Sequence, residues 1–182
     1  MCSEHEGRES RVRAALEAYP ADPSRLRDRD VEEGFAELQR IAQAIEVRKL
    51  AWLADIEKRA SFRRDGYLSA TDWLANRFNL ARGTAKEQLK MAQVIEAVPE
   101  VEEAMAKGEV SSSSVRVLTA AWESHPEAFE ANGSTLLEAA KTKPIGDLRR
   151  TVDDWRHHQD EHDGLDQART MRERRRLDIS PT

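Results

Sequence analysis

Cysteine is almost missing from this chain: Cys2 is the only one. An intrachain disulfide and a cysteine-based zinc cluster are therefore excluded, and Cys2 reads as an inert terminal thiol. Aromatic residues make up 5% of the sequence, with six prolines and eight glycines in 182 residues. No apolar run approaches the roughly 20 residues that cross a bilayer. The opening MCSEHEGRES has neither the basic start nor the apolar block of a signal peptide, so the expectation is a cytoplasmic location and no membrane partner. Alternating β-branched runs are missing as well, which leaves little room for a sheet, and there is no glycine-rich phosphate loop. Excess positive charge is lacking overall. The formal net charge of −5 argues against a surface that coats nucleic acid along its whole extent.

What remains is rich in Ala, Leu, Glu and Arg, all good helix formers, and 35% of the residues are charged. The composition is that of an all-α protein, a helical bundle with one long helix and two helix-turn-helix-like units in tandem. Three regions are expected: a helical segment and hinge over residues 1–24, a helical domain over 25–156, and a charged linker or tail over 157–182. In the first, an amphipathic stretch from Arg8 to Tyr19 is closed by Pro20 and Pro23. The long helix should run from Asp30 to Phe62, about 48 Å at ~1.5 Å per residue. Val31, Phe35, Leu38, Ala42, Ile45, Trp52 and Ile56 recur along it at spacings of three, four or seven, one apolar stripe that Ile41 and Leu53 widen. A helix of this length should find a partner for part of that stripe: another helix, a second copy, or the remainder of a longer protein.

The two turn units occupy Gly66 to Trp122. In the first, Ser69 is placed to cap a short helix carrying Trp73, Leu74 and Phe78, and residues 79–83 reverse the chain into a longer helix. In the second, Pro99 opens a helix through Met105, Gly108 supplies a left-handed residue, and the serines at 111–114 cap a helix ending near Trp122. Further helices are expected over residues 127–132 and 134–141, with a break at Gly133, and another from Ile145 through Trp155 after Pro144. Beyond Trp155 the apolar spacing fades, predicting an extended or weakly helical segment. The ending LDISPT reads as the start of a strand that has been cut off.

Charge is unevenly placed. From Arg48 to Lys90 there are ten Lys or Arg against five acids, a net of +5. If Ala85, Leu89, Ala92 and Val98 face the core, helical pitch turns Arg82, Lys86, Lys90 and Gln93 outward. These side chains could reach phosphates, and Thr84, Gln88 or Gln93 could touch base edges in a major groove. The plain alternative is a solvated helix face. Arg63 and Arg64 could support the contact from an exposed corner, or simply meet a helix C-terminal dipole. Trp52, Trp73, Trp122 and Trp155 lie at helical spacing on apolar faces and are read as core, not as base-stacking platforms.

Two catalytic patterns are set aside. His158 to His162 spells H-x-x-E-H, the inverted zinc-peptidase motif, but the segment has no apolar face and no third ligand. The histidines at 5, 125, 157, 158 and 162 do not sit in the ββα setting of an HNH nuclease either. No catalytic or metal-binding residue and no cofactor is therefore assigned. Arg169, Arg172, Arg174, Arg175 and Arg176 form either a basic connector or a charged tail.

The sequence S-x-x-x-W-L-A from Ser69, a short polar turn, an Ala-rich helix with Lys90-Met91-Ala92, Pro99, and the Gly108-Glu109-Val110-Ser111 turn together resemble the actinobacterial domain of unknown function 222. The likeness runs from about Val31 to the final Arg-rich segment. Its motifs concern helix packing and turning rather than catalysis. A second, shorter likeness, through Val98-Pro99 and the turn at Gly108, is to the helix-turn-helix part of ParB-type partition proteins. The first resemblance implies a non-catalytic helical module N-terminal to an HNH endonuclease domain that binds or positions DNA. Arg63, Arg64, Arg82, Thr84, Lys86 and Lys90 are the contact residues expected on that view, with DNA, a second copy or a C-terminal nuclease domain as partners. The alternative is a protein-interaction or dimerisation scaffold acting through the long helix.

Overall fold

The computed structural model describes the backbone of residues 2–177 and the side chains of residues 7, 9–162, 165, 171 and 172. The expectations placed on the Cys2 thiol, on the Arg169 and 174–176 side chains and on the LDISPT ending lie outside the described residues. Among the described residues every regular element is helical. They are α1 (Cys2–Leu16), α2 (Asp28–Lys58), α3 (Ala70–Arg77), α4 (Arg82–Ala97), α5 (Pro99–Ala106), α6 (Ser112–Ser124), α7 (Pro126–Asn132), α8 (Ser134–Thr142) and α9 (Ile145–Leu177), with single 3-10 turns at Pro23–Arg25 and Ser61–Asp65.

The chain divides into two compact units, Met1–Ala42 and Gln43–Thr182. In the first, no described side chain is fully buried, and Val12, Leu16, Leu26, Phe35 and Ile41 are exposed. Side-chain hydrogen bonds lie within it. Asp22 caps the Pro23 turn by accepting from the Ser24 amide at 3.0 Å, and the Tyr19 hydroxyl donates to Glu37 at 3.0 Å.

The second unit holds the core, and α6 runs through its middle, packing on α4, α5, α7, α8 and α9. Val115, Leu118 and Ala121 on α6 are fully buried, facing such residues as Val94, Met105, Leu136 and Leu148. The local rules that start these helices hold. Ser69 accepts from the Asp72 amide while its hydroxyl donates to the Asp72 carboxylate, and Ser111 caps α6 through the Ser114 amide. Gly108 adopts φ +78° between α5 and α6, with the Glu109 amide returning to Ala104 O. Pro99 and Pro126 sit at helix starts, where a missing N–H costs nothing. Gly133 has the right-handed conformation, so the break between α7 and α8 is not a left-handed cap.

One sequence expectation needs correction: Trp52, read as core from its place on the apolar stripe of α2, lies on the exposed side of that helix. The residues of α2 buried in this unit are Val47, Leu50, Leu53 and Ala54, whereas Ile45 is 45% and Trp52 67% exposed. At 100° per residue Trp52 lies on the side opposite Leu50 and Ala54, and both sides carry apolar residues at helical spacing. Trp73, Trp122 and Trp155 are partly buried against the core as expected. Of the two forms expected beyond Trp155, extended or weakly helical, residues 157–177 take the helical one as part of α9. Arg, Gln, Glu, Met and Leu keep high helix propensity, so losing the apolar stripe does not end the helix.

Gln43 was singled out by no motif, yet it joins α2 to the turn between α5 and α6. Its amide nitrogen donates to Met105 O at 2.9 Å and to Val110 O at 2.7 Å.

Candidate nucleic-acid interface

α3, residues 78–81 and α4 form the first turn unit. Phe78 ends α3, Asn79 takes φ +51°, and the Leu80 amide returns to Ala75 O at 2.9 Å. Asn tolerates this left-handed position better than most residues with a side chain. The chain re-enters a helix at Arg82 with no side-chain cap at Ala81 and no acid in the first turn of α4. The first N–H groups of α4 are thus left for solvent or an anion. Arg82, Gly83, Thr84 and Lys86 are exposed, while Ala85, Leu89 and Ala92 are buried.

Arg82, Lys86 and Lys90 follow one another at four-residue steps along a single side of α4. Thr84 projects from another side, which it shares with Gln88. Arg63 and Arg64 are exposed on the Ser61–Asp65 turn, which packs on α3. The six nominated residues differ in their partners. Lys90 is only 25% exposed and is paired with Glu123 of α6, and Arg82 pairs with Asp72 at 3.2 Å. Among the described residues no ion pair engages Arg48, Arg63, Arg64 or Lys86. Arg82 is 77% exposed, and a pair that open contributes only ~0–1 kcal/mol, so exchanging Asp72 for a phosphate costs little. Lys90 is held more firmly.

Other cations of the basic stretch are also occupied. Arg77 meets Asp65 at 3.4 Å and lies 5.9 Å above the Trp73 ring, whose Nε1 donates to the same carboxylate at 2.8 Å. Lys58 pairs with Glu96 at 2.7 Å, and the hydrogen bond to that carboxylate raises the lysine pKa. Gln93, predicted to be free for base edges, instead donates to both Glu57 oxygens at 3.0 Å.

A second surface feature escaped the sequence reading. An apolar groove of about 380 Å³ runs between α2, α3 and α4, with Trp52, Ile56, Trp73, Phe78 and Leu80 in its walls. Phe78 is 55% exposed, and its ring meets Trp73 edge-on at 5.6 Å. The signal that could have found the groove is the second apolar side of α2.

His158 and His162 lie one turn apart on α9, both exposed. Among the described residues no group of three or more His, Cys, Asp or Glu could hold a metal ion. Among them, too, no helix is long and apolar enough to cross a membrane.

These helices define an all-α bundle. Residues 32–182 match the family described as domain of unknown function (DUF222), and the chain belongs to that family. No curated protein and no solved structure matches it.

Proposed function

We propose that this chain is a non-catalytic helical module that binds or positions duplex DNA through the start of α4. The observation that carries this reading is an uncapped, acid-free helix N-terminus on which Arg82, Thr84 and Lys86 stand exposed. Such an end attracts phosphate through its amides and dipole. Arg63 and Arg64, unpaired and exposed, supply further phosphate contacts, and Lys90 becomes a support that fixes α4 to α6 through Glu123. On the family resemblance, the module presents DNA to a nuclease domain of the HNH type in a longer protein.

Binding of a short duplex, followed by fluorescence anisotropy across a salt series, tests this reading. Each phosphate neutralised contributes roughly 0.9 to the slope of log K against log salt, so changing Arg63, Arg64 and Lys86 together to Gln should flatten the slope by about 2–3. A duplex bound with unchanged affinity and slope by that variant would remove this surface from the interface.

A second reading, a protein-interaction scaffold acting through α2, is favoured by the exposure of Phe35, Ile45 and Trp52 on that helix.

A further inference from the structure

The geometry points to an unpaired nucleobase as the occupant of the apolar groove between α2, α3 and α4, stacked on the Trp52 ring. The inference rests on the DNA reading above and narrows it: the preferred partner is a duplex that carries a base outside its stack. Every residue lining the groove lies in the second unit, Gln43–Thr182.

Three observations carry it. First, the groove is where this unit exposes its rings. Aromatic residues are only 5% of the sequence, yet Trp52, Trp73 and Phe78 all stand in these walls, with Trp52 67% and Phe78 55% exposed. Trp73 is occupied, since its edge braces Phe78, Arg77 lies over its ring and Asp65 accepts from its Nε1. Among the described residues no ring or cation covers Trp52, so its indole is open for stacking. Every base has a π-face, so such a surface takes a base whatever its identity.

Second, the groove continues the proposed phosphate contact. Leu80, two residues before α4 begins, lines it, and so does Gln88, which shares a side of α4 with Thr84. Trp73 and Leu74 belong to α3, on which the Ser61–Asp65 turn with Arg63 and Arg64 packs. Arg48, one turn before Trp52 on α2, is exposed and has no ion pair among the described residues. A strand whose phosphates meet these cations passes its bases beside the groove. Nucleic acid brings an anionic backbone and flat π-faced rings together, the two chemistries that these neighbouring surfaces complement.

Third, one polar group in the wall is unengaged. Gln88 is half-buried in the groove and makes no hydrogen bond among the described residues, whereas Gln43 and Gln93 are both bonded. Its amide can donate and accept, which is what the edge of a base requires. A fully paired duplex has no base to offer without losing pairing and stacking, but a base already unpaired avoids most of that cost.

Fluorescence anisotropy of the whole chain with two short duplexes, one fully paired and one with a single unpaired adenine, tests the inference. A third duplex with 2-aminopurine in place of that adenine reports stacking. The native chain should bind the bulged duplex on the order of tenfold tighter than the paired one. Trp52→Ala, at an exposed position, should leave the circular dichroism spectrum and the paired-duplex affinity unchanged and remove most of that preference. Trp52→Phe, which keeps a ring, should retain part of it. At saturation 2-aminopurine emission should be lower in the native complex than in that of Trp52→Ala. Equal native affinity for the paired and bulged duplexes overturns the groove site and leaves duplex binding through α4 standing. A preference undiminished in Trp52→Ala overturns it too, and assigns the preference to the bent backbone of the bulge. Equal 2-aminopurine emission in the two complexes likewise overturns it, and returns the groove to a protein partner's apolar helix. A native chain that binds neither duplex overturns both this inference and the reading on which it rests.

Discussion

Replacing Gln43 tests whether one polar side chain holds α2 to the turn between α5 and α6. Its amide donates to Met105 O and Val110 O, at 2.9 and 2.7 Å. Met105 O also accepts from the Gly108 amide at 3.1 Å, so losing Gln43 does not leave it without a partner. A typical neutral hydrogen bond contributes ~0.5–1.5 kcal/mol net, which sets the expected cost of Gln43→Leu at about 1–3 kcal/mol. Leucine fills a similar volume, so little of that loss comes from packing. Gln43→Glu should cost more than Gln43→Leu near neutral pH, because an ionised carboxylate has no donor and faces two carbonyl oxygens. The folded protein should therefore raise that glutamate's pKa above its unfolded value. The sign follows: part of the lost stability returns as pH falls towards the unfolded pKa, where a protonated carboxyl supplies one O–H. Urea unfolding read by far-ultraviolet circular dichroism gives the midpoint and slope. The reasoning is refuted if Gln43→Leu shifts stability by less than about 0.5 kcal/mol at an unchanged slope, or if Gln43→Glu loses stability on acidification faster than the native chain.

The two glycines that bound turns should respond to alanine for different reasons, both measurable as thermal midpoints. Gly108→Ala should cost about 1–2 kcal/mol from its φ of +78° alone, since an added Cβ meets nothing within 4 Å. Gly133→Ala should also destabilise, although alanine is the better helix former, because its Cβ would run into the Phe129 carbonyl oxygen. The Tyr19 hydroxyl, raised in pKa chiefly by its hydrogen bond to Glu37, should ionise above the ordinary tyrosine value and fall back towards it in Glu37→Gln, followed by absorbance near the phenolate band. A raised folded pKa means that this bond's contribution is complete below the unfolded pKa and is lost as pH rises through the folded one. Identical Tyr19 midpoints in the two proteins would contradict the bond.

Helix starts and stops were the most legible features. Ser69, Pro99, Gly108, Ser111 and Pro144 act within about one helical turn of themselves, through an oxygen that meets a nearby amide, a fixed φ or a permitted left-handed residue. Such effects need no knowledge of distant residues, so α3, α5, α6 and α9 begin where the local chemistry says. The all-α character follows in the same way from composition.

Which side of α2 meets the core was not legible, because both sides satisfy the same period. Val47, Leu50 and Ala54 recur as regularly as Ile45, Trp52 and Ile56, and periodicity is blind to what lies opposite. The choice falls to packing with residues such as Ala85 and Leu89, far away along the chain. The cations show the same division. Their number and the +5 excess were readable, but Glu123 and Asp72, which occupy Lys90 and Arg82, come from α6 and α3 and reach α4 only when those helices fold onto it. Local hydrogen bonds and torsional preferences are settled within a few residues, whereas burial and ion pairing depend on neighbours that only the assembled bundle supplies.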